Sequence, residues 1–163
     1  MRDKILPEEK LVELIHGLER PVVLLGGPED RERGEGVARL TGGKVYNASG
    51  QFSLGQSAAL VKHALVVITN DTGLMHVAAA FRKPIVSIWG NTIPEFGMYP
   101  YMPKEGPPAY LAEVAGLRCR PCSKIGHERC PKGHFRCMMD QDTAKICDAV
   151  KRMAESATGS VGL

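Results

Sequence analysis

The chain has 163 residues, of which 44% are hydrophobic and 24% charged, and a net charge of +3. That length supports one domain with a real core, the composition is that of a soluble globular protein, and the charge is too small to point to nucleic acid. No apolar run approaches the roughly 20 residues of a membrane helix, and Met1-Arg2-Asp3-Lys4 opens no signal-peptide core, so the default is a cytoplasmic protein whose cysteines are thiols or metal ligands rather than disulfides.

In chain order, Pro7 to Leu18 sets Leu11, Leu14, Ile15 and Leu18 at helical spacing, with Pro7 suited to a first turn. Pro21–Leu25 is an apolar strand run that ends at Gly26-Gly27. A helix is expected within Pro28–Leu40, a short strand at Lys44–Tyr46, and a helix from Leu54 to His63 with Ser53 as its N-cap. A strand follows at Leu65–Thr69, a small-residue helix at Leu74–Phe81 and a strand at Ile85–Trp89. Gly90 to Pro108, rich in Pro and Gly, is a loop, and Tyr110–Val114 is a last strand. Residues 117–138 form a cysteine-rich insertion, and Gln141–Glu155 closes the chain as an amphipathic helix with Ile146, Val150 and Met153 as its stripe. The single domain spans 1–157, the chain is expected to fray from Ser156, and 158–163 is a tail.

Strands alternating with helices predict an α/β fold, a Rossmann-like parallel sheet with helices on both faces. The order opens on a helix, whereas doubly wound domains open on a strand, so an upstream part is expected to be missing. The segment Asn70-Asp71-Thr72-Gly73-Leu74-Met75-His76 lies where a strand turns into a helix. In open α/β sheets this strand end binds ligands, and the free N–H groups of a helix start suit a phosphate. Asp71 and Thr72 are equally ordinary helix caps, Gly73 an ordinary turn residue, and a lone His76 an ordinary solvated one. What favours a site is company. Gly26–Asp30, Asn47–Leu54 and Gly90–Pro94 are polar, glycine-bearing loops that should converge beside Asp71.

Asn70–Ala80, followed by Pro84-Ile85-Val86-Ser87-Ile88-Trp89-Gly90-Asn91-Thr92, resembles the signature of glycosyltransferase family 9, the ADP-heptose:lipopolysaccharide heptosyltransferases. Gly26–Asp30 and Phe52-Ser53-Leu54 fit the same pattern, and the likeness runs from about residue 20 to about residue 152. It implies one half of a GT-B enzyme, the carboxyl-terminal donor-binding domain, without the amino-terminal domain that supplies the general base. By that resemblance Asp71 binds donor-sugar hydroxyls, and Thr72 and Gly73 hold the diphosphate. Met75 belongs to the same binding segment, His76 lies near the phosphates, and Gln51 and Phe52 take the nucleoside. Acidic side chains around Asp30 are further candidates, for the ribose. The implied reaction is inverting sugar transfer from ADP-heptose to a lipopolysaccharide-core or similar glycan. Oriented N–H dipoles, with no metal, stabilise the leaving diphosphate. No catalytic residue is assigned to this chain, which is expected to be inactive alone, cytoplasmic, and peripheral at the inner face of the inner membrane.

Cys119-x2-Cys122-x7-Cys130-x6-Cys137 is the second signal. Its first pair has the spacing of a zinc knuckle and its second does not, so structural zinc on these four and free thiols packed in a loop both stand, with disulfides as the third state; His127 and His134 are spare ligands. Arg118, Arg120, Lys124, Arg129, Lys132 and Arg136 make the segment basic, either as a solvated loop or as a contact for a phosphorylated lipid or glycan. Cys147 and Trp89 are expected in the core. Gly42-Gly43-Lys44 lacks P-loop spacing, and no Gly-x-Ser-x-Gly elbow occurs. Two other functions compete. One is a non-enzymatic interaction module that uses the basic cysteine loop. The other is a redox sensor, which needs a thiol of lowered pKa.

Overall fold

The computed structural model describes residues 5–102, 106–127 and 129–159. Helix α1 is Glu8–Gly17, strand β1 Val22–Leu24, α2 Arg31–Leu40, β2 Val45–Asn47, α3 Leu54–His63, β3 Val67–Asn70, α4 Gly73–Ala80, β4 Ile85–Trp89, β5 Ala109–Glu113, α5 Arg136–Met139 and α6 Thr143–Gly159. Short 3-10 turns sit at Pro28–Asp30 and Pro94–Phe96. Local chemistry sets several ends. Ser53 accepts from the Gln56 N–H at 3.3 Å, while Gln56 Oε1 takes the Ser53 N–H at 2.9 Å, a reciprocal cap that starts α3.

The fold is α/β, and every strand pair is parallel. The sheet is not continuous, which corrects the single sheet expected: β1 pairs with β2, and β3-β4-β5 form a separate three-stranded unit. β4 carries the core. Its five residues are all buried, as a parallel strand covered on both faces requires. Alternation sends Val86 and Ile88 to one side, against Leu14 of α1 and Ile146, Ala149 and Met153 of α6. Ile85 and Trp89 go to the other, against Val61 of α3 and Met75, Ala78 and Ala79 of α4. Trp89 is fully buried, as expected, and its indole N–H donates to Ser87 Oγ at 2.9 Å.

Two boundaries differ from expectation. The chain does not fray at Ser156. α6 runs to Gly159, and Ser156 and Thr158 donate their hydroxyls to the carbonyls of Arg152 and Ala154 at 3.0 and 3.1 Å. The end of the cysteine segment is core rather than insertion, because Cys137 and Met138 lie on α5 and pack with Ile146 and Val86. Cys147 is half-buried where α1 meets α6, its thiol 3.5 Å from the Leu14 carbonyl. Among the described residues no helix is long and apolar enough to cross a membrane.

Candidate functional site

β3 delivers Asn70 to its carboxyl end, and the Asn70 amide donates to the Ile88 carbonyl of β4 at 3.3 Å. The chain then turns through Asp71 to Thr72, which occupies the N-cap of α4 in extended backbone. Thr72 makes no side-chain cap hydrogen bond; its hydroxyl lies 3.2 Å from that of Thr69 instead. The capping interpretation of Thr72 therefore fails, and the first N–H groups of α4 are not occupied by it. Thr72, Gly73 and His76 are exposed, and Asp71 is half-buried. Asp71 accepts a long hydrogen bond from Thr92 Oγ1 at 3.5 Å. Met75, grouped with these residues by its place in the motif, is fully buried against Trp89 and Val61. It sets how α4 lies on the sheet and offers no surface to a ligand.

The three polar loops all leave carboxyl ends of parallel strands, but the structure joins them in two pairs, not one cluster. Gly90–Thr92 meets Asp71. Separately, the Gly50 N–H donates to the Gly26 carbonyl at 3.0 Å, seating the 47–54 loop on the 26–28 loop. Gly50 has φ +68, and a Cβ there would lie 2.7 Å from the Pro28 Cα, so only glycine fits. Gln51 is exposed; its Oε1 takes the Tyr46 hydroxyl at 3.0 Å and its amide donates to the Asn47 carbonyl at 2.7 Å. Phe52 lies beside Gln56, Ala59, Leu60 and His63 in a shallow apolar groove on α3. The Asp30 carboxylate accepts from the Gly27 N–H at 3.1 Å, which closes the turn after β1.

Spacing did not reveal what holds the Asp71 side together. Arg120, from the cysteine segment, has a side chain only 7% exposed. Its guanidinium donates to the carbonyls of Gly90 at 2.6 Å, Val114 at 3.1 Å and Thr92 at 3.1 Å, and to Glu113 Oε2 at 3.0 Å. The Cys122 N–H donates to the Asn91 carbonyl at 2.9 Å, and the Asn91 amide to the His127 carbonyl at 3.3 Å. Asn91 and Thr92 are buried beneath these contacts. The basic segment is thus a clamp on the loop that touches Asp71. Arg118, Lys124, Arg129 and Lys132 remain exposed around it.

Cys119, Cys122, Cys130 and Cys137 are free of disulfides. Cys119 Sγ lies 3.8 Å from His134 Nε2. Burial pushes the Cys137 thiol up to about 11, and the nearby Cys122, Cys130 and Cys119 add to the rise while Arg120 opposes it. Among the described residues no three Cys, His, Asp or Glu side chains are grouped closely enough, as they stand, to hold a metal ion. Burial also raises the Cys147 thiol; both shifts run against what a redox sensor needs.

The sequence model of glycosyltransferase family 9 (heptosyltransferase) matches residues 2–125. Lipopolysaccharide heptosyltransferase 2 of Escherichia coli K12 is 38% identical over 79 residues, covering 46% of this chain and 23% of that protein. Lipooligosaccharide heptosyltransferase 2 of Haemophilus influenzae is 31% identical over 91 residues, covering 53% and 26%. The fold is that of the solved E. coli ADP-heptose LPS heptosyltransferase II, with a TM-score of 0.71 at 22% identity over 94% of this chain and 43% of that one. The family 9 glycosyltransferase structure from Veillonella parvula gives a TM-score of 0.70 at 23% identity over 96% and 43%. The chain thus spans about a quarter of the length of these two curated relatives and 43% of the solved structures. None of these similarities points to a non-enzymatic module, and a family match that takes in the β3–α4 turn, the Gly90–Thr92 loop and Arg120 places this chain in glycosyltransferase family 9.

Proposed function

We propose that this chain is the donor-binding half of a heptosyltransferase-like glycosyltransferase of GT-B architecture. Its donor is a nucleotide diphosphate sugar of the ADP-heptose class, bound at the carboxyl edge of β3. The observation that carries this reading is the β3–α4 turn, where Asp71 is held by Thr92 beside the exposed Thr72, Gly73 and His76. The amino end of α4 supplies N–H groups and partial positive charge to a diphosphate. Asp71 accepts from sugar hydroxyls, and His76, one turn along the same face, offsets charge on the departing diphosphate. These dipoles are fixed before reaction, so the leaving group is stabilised without a metal, and the transfer is inverting. Gln51 and Phe52 take the nucleoside. Attack by an acceptor hydroxyl also needs a general base, which the complementary amino-terminal half supplies, so this chain binds donor and does not turn over alone. The acceptor is a lipopolysaccharide-core or related glycan at the cytoplasmic face of the inner membrane, where the exposed basic residues of the cysteine segment meet anionic groups.

Isothermal titration with ADP, UDP, GDP and ADP-heptose, repeated with a chelator, tests this reading. We expect ADP and ADP-heptose to bind, binding to survive the chelator, and Asp71→Ala to weaken ADP-heptose at least about tenfold, the loss of a hydrogen bond to a charged group, while ADP, which has no donor sugar, keeps its affinity. Equal binding of all three nucleotides, or ADP-heptose binding that is indifferent to Asp71→Ala, would sink it.

A further inference from the structure

We infer that Cys119 and Cys122 are a peroxide-sensitive thiol pair, with Cys119 as the attacking sulfur and Cys122 as the one that closes the disulfide, and that closure is felt by the Gly90–Thr92 loop through the clamp. The pair lies in the cysteine segment, and its chemistry is the same whatever the chain binds. The five thiols are not alike. Cys137 is buried and Cys147 half-buried, and burial pushes both thiols up, which keeps them protonated and unreactive. Cys119, Cys122 and Cys130 are partly open to solvent. Cys119 also has an imidazole beside it, with its Sγ 3.8 Å from His134 Nε2. A tight turn, in which the Gly133 N–H donates to the Cys130 carbonyl at 3.0 Å, delivers His134 to this place. The other ring nitrogen fixes the tautomer. His134 Nδ1 accepts the Arg136 N–H at 3.1 Å, so in the neutral ring Nδ1 carries no proton and Nε2 does. The Nε2–H is therefore a donor to the Cys119 sulfur and stabilises negative charge there, the charge an attacking sulfur carries.

Cys122 is placed to close the pair. Its thiol reaches back across Arg120-Pro121 to donate to the Cys119 carbonyl at 3.3 Å, so its sulfur already sits beside Cys119, in the C-x-x-C spacing that redox pairs use. The chemistry balances with a hydroperoxide as oxidant. The Cys119 sulfur attacks one peroxide oxygen, an S–O bond forms and the O–O bond breaks. The thiol proton leaves with the departing oxygen, which for hydrogen peroxide is water, and Cys119 is now a sulfenic acid. The Cys122 sulfur attacks it; the S–S bond forms, the S–O bond breaks, and the Cys122 proton leaves with the hydroxyl as a second water. The two thiols have lost two electrons and the peroxide has gained them. Arg120 lies between the two cysteines, and its guanidinium holds the Gly90 and Thr92 carbonyls, while the Cys122 N–H holds that of Asn91. A disulfide fixes the backbone on both sides of the arginine and takes the Cys122 thiol away from the Cys119 carbonyl, so the loop that meets Asp71 senses the change.

The test is the full chain, reduced and then treated with hydrogen peroxide, with each cysteine read by alkylation and mass spectrometry. Trypsin leaves Cys119 and Cys122 on one peptide, residues 119–124, because Arg120 precedes proline, and separates it from Cys130. This peptide should lose two hydrogens at least about tenfold faster than Cys130, Cys137 or Cys147 is modified, and a thiol reductant should restore it. Cys122→Ser should stop at the sulfenic acid of Cys119, which dimedone captures. His134→Ala should slow the first step at least about fivefold with Tm unchanged. Amide shifts of Asn91, Thr92 and Cys122 should move on oxidation and return on reduction. Three results would each overturn the pair: Cys119 reacting no faster than Cys130, a disulfide that joins Cys119 to Cys130, or sulfurs shielded from peroxide by a stoichiometric zinc ion until a chelator removes it. Loop amides unmoved by oxidation would overturn the link to the clamp.

Discussion

Arg120→Ala strikes the clamp at its centre. The guanidinium makes four charge-assisted hydrogen bonds, three of them to backbone carbonyls, from a side chain 7% exposed. Truncation leaves those carbonyls competing for water in a partly closed space. A charged group's hydrogen bond is worth about 1.5–3 kcal/mol net, and removing one partner of a buried charged network costs about 3–5 kcal/mol. Part of that is offset by not desolvating a guanidinium. The Glu113 contribution is the smaller, because that carboxylate is 40% exposed. At roughly 2–4 °C per kcal/mol for a domain of this size, about 3–5 kcal/mol corresponds to a fall in Tm of about 6–20 °C. Arg120→Lys should recover little, since an ammonium cannot fork across Gly90, Thr92 and Val114 at once. The change should also reach the site, because Gly90–Thr92 positions the hydroxyl that meets Asp71. ADP affinity should drop in a sample that is still folded below its new Tm. Scanning calorimetry with titration below the transition measures both. An Arg120→Ala variant with unchanged Tm and unchanged loop shifts by NMR would refute the clamp.

Other outcomes follow from the same geometry. Gly50→Ala should cost at least about 1 kcal/mol from its positive φ alone, and more from the Cβ approach to the Pro28 backbone; urea unfolding reads this, and a neutral result would mean the 47–54 loop is not seated on the 26–28 loop. Asp71→Ala should leave Tm within about 2 °C while weakening ADP-heptose, since surface-edge substitutions shift stability by only about 0.5 kcal/mol. For Cys137 the folded thiol titrates near 11 and the unfolded one near its ordinary value of about 8.5. The native state then keeps a proton that the unfolded state loses, and stability falls as pH rises through that window. Urea midpoints of wild type and Cys137→Ala should converge in slope below pH 8 and diverge above it, and identical slopes throughout would contradict the buried, protonated thiol.

Much of this was legible in the residues. Ser53 ahead of Leu54 announces a cap, and the structure has it, with Gln56 returning the hydrogen bond. Pro84–Trp89 reads as a buried strand and is one. The Asp71–His76 turn lies at the strand end where its neighbours placed it. What was not legible is what sequence separation hides. Arg120 reads as one cation in a basic loop, and nothing local tells that it reaches Gly90 and Thr92, because hydrogen bonds to backbone carbonyls leave no residue-type signature on the partner. Met75 sits between site residues in the motif, yet the helical period turns it to the core. The sheet division escapes for a similar reason: β1 and β3 are both ordinary apolar runs, and neither run carries a mark of which strand it pairs with. α5 was hidden because Cys137 and Met138 look like the end of a cysteine loop until Ile146 and Val86 are seen against them.

The most direct test of the donor-site assignment is the footprint of ADP on the backbone amide spectrum of the whole chain. Binding at the β3 edge should move Thr72–His76 and Gly90–Thr92, with smaller changes at Gln51 and Phe52. Shifts confined to the exposed basic residues of 118–132, or an unmoved β3–α4 turn at saturating ADP, would place the nucleotide elsewhere and contradict it.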